Sequence, residues 1–153
     1  MKILVMGLPG SGKTTFAREI AYHFNLPHYN ADTIREYYDD WDFSFVGRLK
    51  QASRMSSYQF GVLDFVCPSR DFRKLVNADY TIWLDTIQKS VHRDTNIVFE
   101  KPLEYNMRLY DYPNIKFLKY VLSQYDNSLK DIGNFLTYYR DVLDEYKYRH
   151  DND

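Results

Sequence analysis

Residues 7–15 read Gly7-Leu8-Pro9-Gly10-Ser11-Gly12-Lys13-Thr14-Thr15, a glycine, four residues, a second glycine, then lysine and threonine. These residue types at this spacing suit the holding of a polyphosphate. Glycines let the backbone curl until successive N–H groups point at one anion, and a helix starting at the lysine adds unpaired donors and its positive dipole end. Lys13 then reaches β- and γ-phosphates, and the Thr14 hydroxyl is placed to ligate magnesium. Gly7, Pro9, Gly10, Ser11, Gly12, Lys13, Thr14 and Thr15 are therefore candidates for binding ATP with Mg2+. A glycine-rich turn beside a surface lysine would lack the flanks seen here. Ile3-Leu4-Val5-Met6 precedes the loop, and Phe16, Ile20, Ala21 and Phe24 follow at helical spacing, the strand before and helix after that a phosphate-binding P-loop requires.

A second set of polar residues must stand beside this loop if a phosphoryl group is to go anywhere. Asn25-Leu26-Pro27 ends the first helix, a short second strand is expected at His28-Tyr29-Asn30, and a helix starts near Ala31. Asp32 and Arg35 then project from one helix face beyond the strand end, where open parallel sheets place ligands. In a functional reading Asp32 is a base or magnesium-orienting group near an acceptor hydroxyl, and Arg35 holds an anionic part of the acceptor. In a structural reading they are an N-cap aspartate and a surface salt bridge. Spacing alone leaves both open.

After a loop from Trp41, Arg48, Gln51 and Arg54 recur at i, i+3 and i+6, a strip of long polar donors or a solvated helix face. Residues 61–67 read as a buried third strand ended by Pro68. Asp64 interrupts that run, and a buried carboxylate is costly unless paired or near a metal, so it is expected as a magnesium-side or structural contact. A short helix with Arg70 and Arg73, a fourth strand over Ala78–Asp85 and a fifth over Asn106–Tyr110 follow.

Three ordered motifs then stand together: Asn30-Ala31-Asp32-x-x-Arg35, Phe43-Ser44-x-x-Gly47-Arg48-x-x-Gln51-x-x-Arg54, and Cys67-Pro68-Ser69-Arg70-Asp71-Phe72-Arg73. The set resembles the adenylylsulfate kinases, which use ATP to phosphorylate the 3′-hydroxyl of adenosine 5′-phosphosulfate, and the resemblance extends to about residue 110. It implies that Asp32 and Arg35 correspond to the second aspartate and the arginine of that family's acceptor motif. It further implies that Phe43 stacks on the acceptor's adenine, that Arg48 and Gln51 hold the acceptor, and that Arg73 faces the active site. The chain departs from the family at Asn30, Ala31, Gly47 and Gln51, all on the acceptor side.

Enzymes of this class close a basic lid over ATP. The corresponding segment here, Thr86 to Asp94, is shorter than the family's and carries Lys89, His92 and Arg93. Arg93 is the cation expected over the phosphates, making Lys13, Asp32 and Arg93 the catalytic candidates and Thr14, Asp32 and Asp64 the magnesium candidates. The Asn30-x-Asp32-x-x-Arg35 pattern also resembles the acceptor motif of polynucleotide and nucleoside 5′-hydroxyl kinases. A catalytically weak ATP-binding module whose C-terminal helices bind a partner is the alternative from another class.

At 153 residues with net charge −1, the chain suits one domain and lacks the general basic field that long nucleic acid would need. The single cysteine, Cys67, cannot form an internal disulfide, the N-terminus enters a strand at once, and no apolar run approaches a membrane span. These features suggest a soluble cytoplasmic protein acting on a small molecule. From Ile115, apolar residues step by three and four through Leu118, Leu122, Tyr125, Leu129, Ile132, Leu136, Tyr139, Leu143 and Tyr146. Asp126-Asn127-Ser128 is expected to break this seam, with Ser128 capping a second helix. A helical hairpin packed on the sheet is one reading, and a homodimer contact the sharper one. The expected architecture is α/β, a three-layer P-loop fold with five parallel strands in order 2-3-1-4-5 over residues 1–112. Residues 113–153 are expected as a helical extension packed on the same domain.

Overall fold

The apolar run before the loop forms β1 (Lys2–Met6), buried at every position and central in a five-stranded parallel sheet. The structure is a computed structural model and describes residues 1–125 and 131–151. Beside β1 lie β2 (His28–Asn30), β3 (Gly61–Asp64), β4 (Tyr80–Leu84) and β5 (Met107–Leu109), in the order β2-β3-β1-β4-β5. Parallel neighbours need crossover connections. Those are α1 (Lys13–His23), α2 (Ala31–Tyr38), α3 (Phe45–Ser56), α4 (Arg70–Val76) and α5 (Arg93–Val98).

On one face of the sheet, Leu4, Met6, Leu63 and Trp83 pack with Ile34 of α2, Ala52 and Met55 of α3, and Phe72 and Val76 of α4. On the other, α1 buries Phe16, Ala17, Ile20 and Ala21. Each such large aliphatic or aromatic side chain contributes roughly 1.5–3 kcal/mol on burial. The helices on the first face start on side-chain caps: Asn30 for α2, Ser44 for α3 and Ser69 for α4. By contrast α1 has no side-chain cap. The parallel register sets Val5, Asp64 and Asn30 abreast at the C-terminal ends of β1, β3 and β2. The loop after β1, the carboxylate on β3 and the start of α2 therefore share one edge of the sheet.

Several boundaries differ from those read in the sequence. The third strand ends at Asp64 rather than running to Cys67: Phe65 N–H still donates to Val5 O at 3.1 Å, but Cys67 turns to φ 46°, outside the extended region. The chain thus leaves the sheet before Pro68. The fourth and fifth strands are shorter at both ends than expected. Helix α5 begins at Arg93, inside the segment expected as lid, so the connection from β4 is shorter still.

Two compact units are present, Met1–Pro113 and Asn114–Asp153. The second holds α6 (Ile115–Gln124) and α7 (Ile132–Asp151). Its buried residues include Leu118, Leu122, Ile132, Leu136 and Tyr139, together with Val121 and Phe135, which widen the seam beyond a single row. Phe117 lies near the rings of Tyr139 and Tyr146, and Tyr125 meets Phe135 edge-on. The expected break at Asp126-Asn127-Ser128, the Ser128 cap and Leu129 lie outside the described residues. Among those described, no helix is long and apolar enough to cross a membrane.

Candidate active site

Beyond β1 the loop turns on Gly7, Gly10 and Gly12 at φ 151°, 85° and 97°. A Cβ on Gly7 would stand 2.6 Å from the Leu84 carbonyl oxygen and 2.8 Å from Ser11 Oγ, so the close approach of loop to β4 admits only glycine. Loop carbonyls are occupied from within the loop and from outside it. Ser11 N–H donates to Leu8 O at 3.1 Å, the Thr86 hydroxyl to Ser11 O at 2.8 Å, and the Tyr112 hydroxyl to Gly10 O at 2.8 Å. With no side-chain cap on α1, the first-turn N–H groups remain open to an anion. Ser11 Oγ is buried without a hydrogen-bond partner among the described residues. Pro9 is half-buried, and Thr15, in the first turn of α1, is exposed.

Lys13 is 9% exposed, and its Nζ donates to Leu8 O at 3.1 Å. Burial pulls this ammonium below its ordinary value of 10.5, while the charges of Asp64 and Asp32 push back. Both carboxylates that the sequence singled out thus act on the P-loop lysine.

Asn30 joins the parts. Its Oδ1 accepts from Thr33 N–H at 3.0 Å and from the Thr33 hydroxyl at 3.2 Å, which caps α2. Its Nδ2 donates to Asp64 Oδ2 at 2.9 Å and to Thr14 Oγ1 at 3.2 Å. His28 Nε2 lies 3.1 Å from the same Asp64 oxygen. Asp64 is 1% exposed. Burial raises its carboxyl, but hydrogen bonds from His28, Asn30 and Thr14 and the Lys13 charge outweigh burial and hold it below its ordinary 3.8. The cap expected from Asp32 is therefore supplied by Asn30, and Asp32 stays exposed on the first turn of α2.

Thr14 and Asp64 fit magnesium as P-loop proteins bind it, through one or two protein oxygens with phosphates and water completing the shell. Both are oxygen donors bridged by one amide beside the phosphate loop. Among the described residues no three His, Cys, Asp or Glu side chains form a metal cluster, and this mode of binding needs none.

Asp32 lines a small cleft of about 60 Å³ with Arg35, Arg48 and Gln51, floored by Phe65 and Pro68. The Arg35–Asp32 salt bridge of the structural reading is not formed. Arg35 is 4% exposed and Nη1 donates instead to Asp40 O at 2.9 Å and Asp42 O at 3.1 Å. Arg48 donates to Phe43 O, Asp94 Oδ2 and Thr95 Oγ1 at 2.8, 3.2 and 3.3 Å. Both guanidinium carbons lie over the Phe43 ring, at 4.3 Å for Arg35 and 5.4 Å for Arg48, with Phe43 45% exposed. Gln51 Nε2 donates to Ala31 O at 2.9 Å, and its buried Oε1 has no partner among the described residues. Arg54, at the end of the strip, pairs with Asp40 at 2.9 Å and lies outside this cleft.

Two expected residues stand apart. Arg73 does not line the cleft. Its Nε donates to Cys67 O at 3.0 Å and its Nη2 to Pro68 O at 3.2 Å and to Glu100 O. Arg93 is exposed on the first turn of α5 with no partner among the described residues, and the residues of its segment that meet the loop are Thr86 and Ile87. The junction role of Asn30 and the His28–Asp64 contact were missed. Asn followed three residues later by Thr signals the cap, whereas no local pattern signals a contact between adjacent parallel strands.

No family model and no curated protein sequence matches the chain. Among solved structures, the fold is similar to that of Mycobacterium tuberculosis APS kinase in complex with AMPPNP and APS, with TM-score 0.62, 16% identity, and coverage of 80% of this chain and 95% of that one. It is similar to shikimate kinase from Aquifex aeolicus vf5, with TM-score 0.57, 12% identity and coverage of 80% and 95%. A gluconokinase from Sinorhizobium meliloti 1021 matches with TM-score 0.55 and 15% identity over 93% of this chain and 94% of its own. These neighbours are P-loop small-molecule kinases, and at such identities the likeness is one of fold.

Proposed function

We propose that this protein is an ATP-dependent kinase that transfers the γ-phosphoryl group to a hydroxyl of a small, anionic, nucleotide-like acceptor. In its narrowest form the acceptor is adenosine 5′-phosphosulfate, phosphorylated at its 3′-hydroxyl. One observation carries the proposal: Asp32 lines the cleft that contains Arg35, Arg48 and Gln51, and it stands on the helix whose cap, Asn30, bonds the P-loop Thr14. A carboxylate between a phosphate cradle and two guanidinium groups is suited to orient a hydroxyl for attack on a terminal phosphate.

In this proposal the open first-turn amides of α1 and the Lys13 ammonium hold the polyphosphate. Thr14 and Asp64 would hold Mg2+, which when bound neutralises phosphate charge. Asp32 orients the acceptor hydroxyl or takes its proton, and Arg35 and Arg48 balance the acceptor's negative charge. The unpaired Oε1 of Gln51 accepts a hydrogen bond from the acceptor, and the exposed Phe43 ring offers a face to a base. The fold neighbours support phosphoryl transfer as a class, and the three sequence motifs support the narrower acceptor.

The deciding experiment is a panel of hydroxyl acceptors turned over with γ-labelled ATP, including adenosine 5′-phosphosulfate and an oligonucleotide with a free 5′-hydroxyl. Labelled 3′-phosphorylated product from the first is expected. Transfer to the oligonucleotide alone would reassign the acceptor. ATP binding without transfer to any acceptor would leave a nucleotide-binding module and remove the kinase.

A further inference from the structure

A second polar cavity opens between α4 and the segment that leads into β5. It encloses about 560 Å³, within the ~300–1,000 Å³ range of small-molecule sites. Arg70, Arg73 and Lys74 stand on one side of α4 at i, i+3 and i+4 and line this groove. Glu104 is the acid on the wall, and Leu103 and Tyr105 supply apolar surface opposite.

The cations are weakly answered. Arg70 Nη2 reaches Lys101 O only at 3.4 Å, and Nη1 lies 3.8 Å from Glu100 Oε2. Lys74 makes no hydrogen bond or ion pair among the described residues. Arg73 spends Nε and Nη2 on main-chain carbonyls, while its buried Nη1 has no partner among the described residues. The Arg70 charge opposes that of Arg73, against a larger pull from Glu100. Three positive charges against two carboxylates, Glu104 on the wall and Glu100 beside Arg70, leave a net positive groove with an aromatic wall, a surface that suits an anion.

We propose that this groove is a second ligand site, separate from the cleft at Asp32, for a small organic anion with a flat or apolar body. The negative charge answers the local excess of cations. The body covers Leu103 and Tyr105, which a bare inorganic ion would leave wet. Arg73 connects the groove to the main chain of Cys67 and Pro68, the latter a wall of the catalytic cleft.

The test is a site-resolved NMR titration of the full chain with uridine 5′-monophosphate, citrate and inorganic pyrophosphate. Saturable shifts are expected at the amides of Lys74, Asn77, Thr81 and Asn106, with uridine 5′-monophosphate binding more tightly than pyrophosphate. Separate shifts at Gly10–Thr14 would report the P-loop, so failure at one site is distinguishable from failure at the other. The double substitution Arg70→Gln/Lys74→Gln, on exposed side chains outside the catalytic cleft, is expected to weaken groove binding about tenfold or more and to leave the loop shifts unchanged. Arg70→Lys/Lys74→Arg, which keeps the charge, should retain binding. Absence of saturable shifts at the groove amides with all three probes, or equal affinity in the charge-removing variant, would overturn the assignment.

Discussion

Asn30 carries more of the site than its size suggests, because one planar amide serves three elements. It caps α2, bonds the β3 carboxylate Asp64 and bonds the P-loop Thr14. Asn30→Ala removes the cap and strips a donor from a buried carboxylate, so a loss of about 1–3 kcal/mol in urea unfolding is expected. Asn30→Asp keeps the cap but sets a second carboxylate beside Asp64, where the amide now lies at 2.9 Å. That variant should be destabilised at neutral pH and recover more of its thermal stability with added Mg2+ than wild type gains. Equal Mg2+ response in the two proteins would count against a metal at Thr14 and Asp64. Lys13→Ala removes the buried ammonium that faces Asp64 and Asp32. Turnover is expected to fall about 10²–10³-fold with the fold retained by circular dichroism, and near-wild-type turnover would exclude Lys13 from phosphate stabilisation.

At the scale of elements, the turn from α2 into α3 builds the proposed acceptor side. Asp40 and Asp42 present their carbonyls to Arg35, Ser44 caps α3, and Phe43 covers both cleft arginines. This turn folds back on α3 so closely that a Cβ on Gly47 would lie 2.1 Å from Asp42 O. The glycine that departs from the adenylylsulfate kinase pattern is thus the residue that lets the turn close. Gly47→Ala must displace backbone rather than a flexible side-chain tip, costing about 1–3 kcal/mol. The shift should release Arg35 and Phe43, raising acceptor KM severalfold while the affinity for ATP, measured by calorimetry, stays near wild type. An equal loss of ATP affinity would show that the turn does not act on the acceptor side alone.

For the whole molecule, buried ionisable groups set both limits of the pH-stability profile. Asp64 has its folded pKa below the ordinary 3.8. Its stabilisation is complete above that value and lost as pH falls through the folded pKa, so unfolding free energy should be level near neutrality and fall below about pH 4. Asp64→Asn should flatten this acid limb. At the other end, burial pushes the Cys67 thiol from 9.0 and the Tyr139 hydroxyl from 10.0, each up to about 12. The unfolded chain releases these protons first, so stability should decline as pH rises from about 9 toward 12. Cys67→Ala should remove the earlier part of the decline, and an unchanged alkaline slope would show that the thiol does not contribute.

Much of this protein could be read without coordinates, and what could be read is local. The P-loop is a contiguous run of glycines between a strand and a helix, so short-range sterics and apolar periodicity specify it. The alternation of strands and helices likewise implied a parallel sheet, and the order 2-3-1-4-5 is the one observed. The capping role of Asn30 lay in the same kind of local pattern and went unread. Other features required the tertiary structure because they depend on register between distant segments. Only strand pairing sets Asn30 and Asp64 abreast, giving the buried carboxylate its partners and bringing Lys13 under its charge. Only the turn at Cys67 ends β3 early, and only the path of residues 99–106 beside α4 draws Arg73 away from the cleft into a groove of its own. Sequence spacing orders side chains along one helix or strand, whereas packing between elements decides which charges meet.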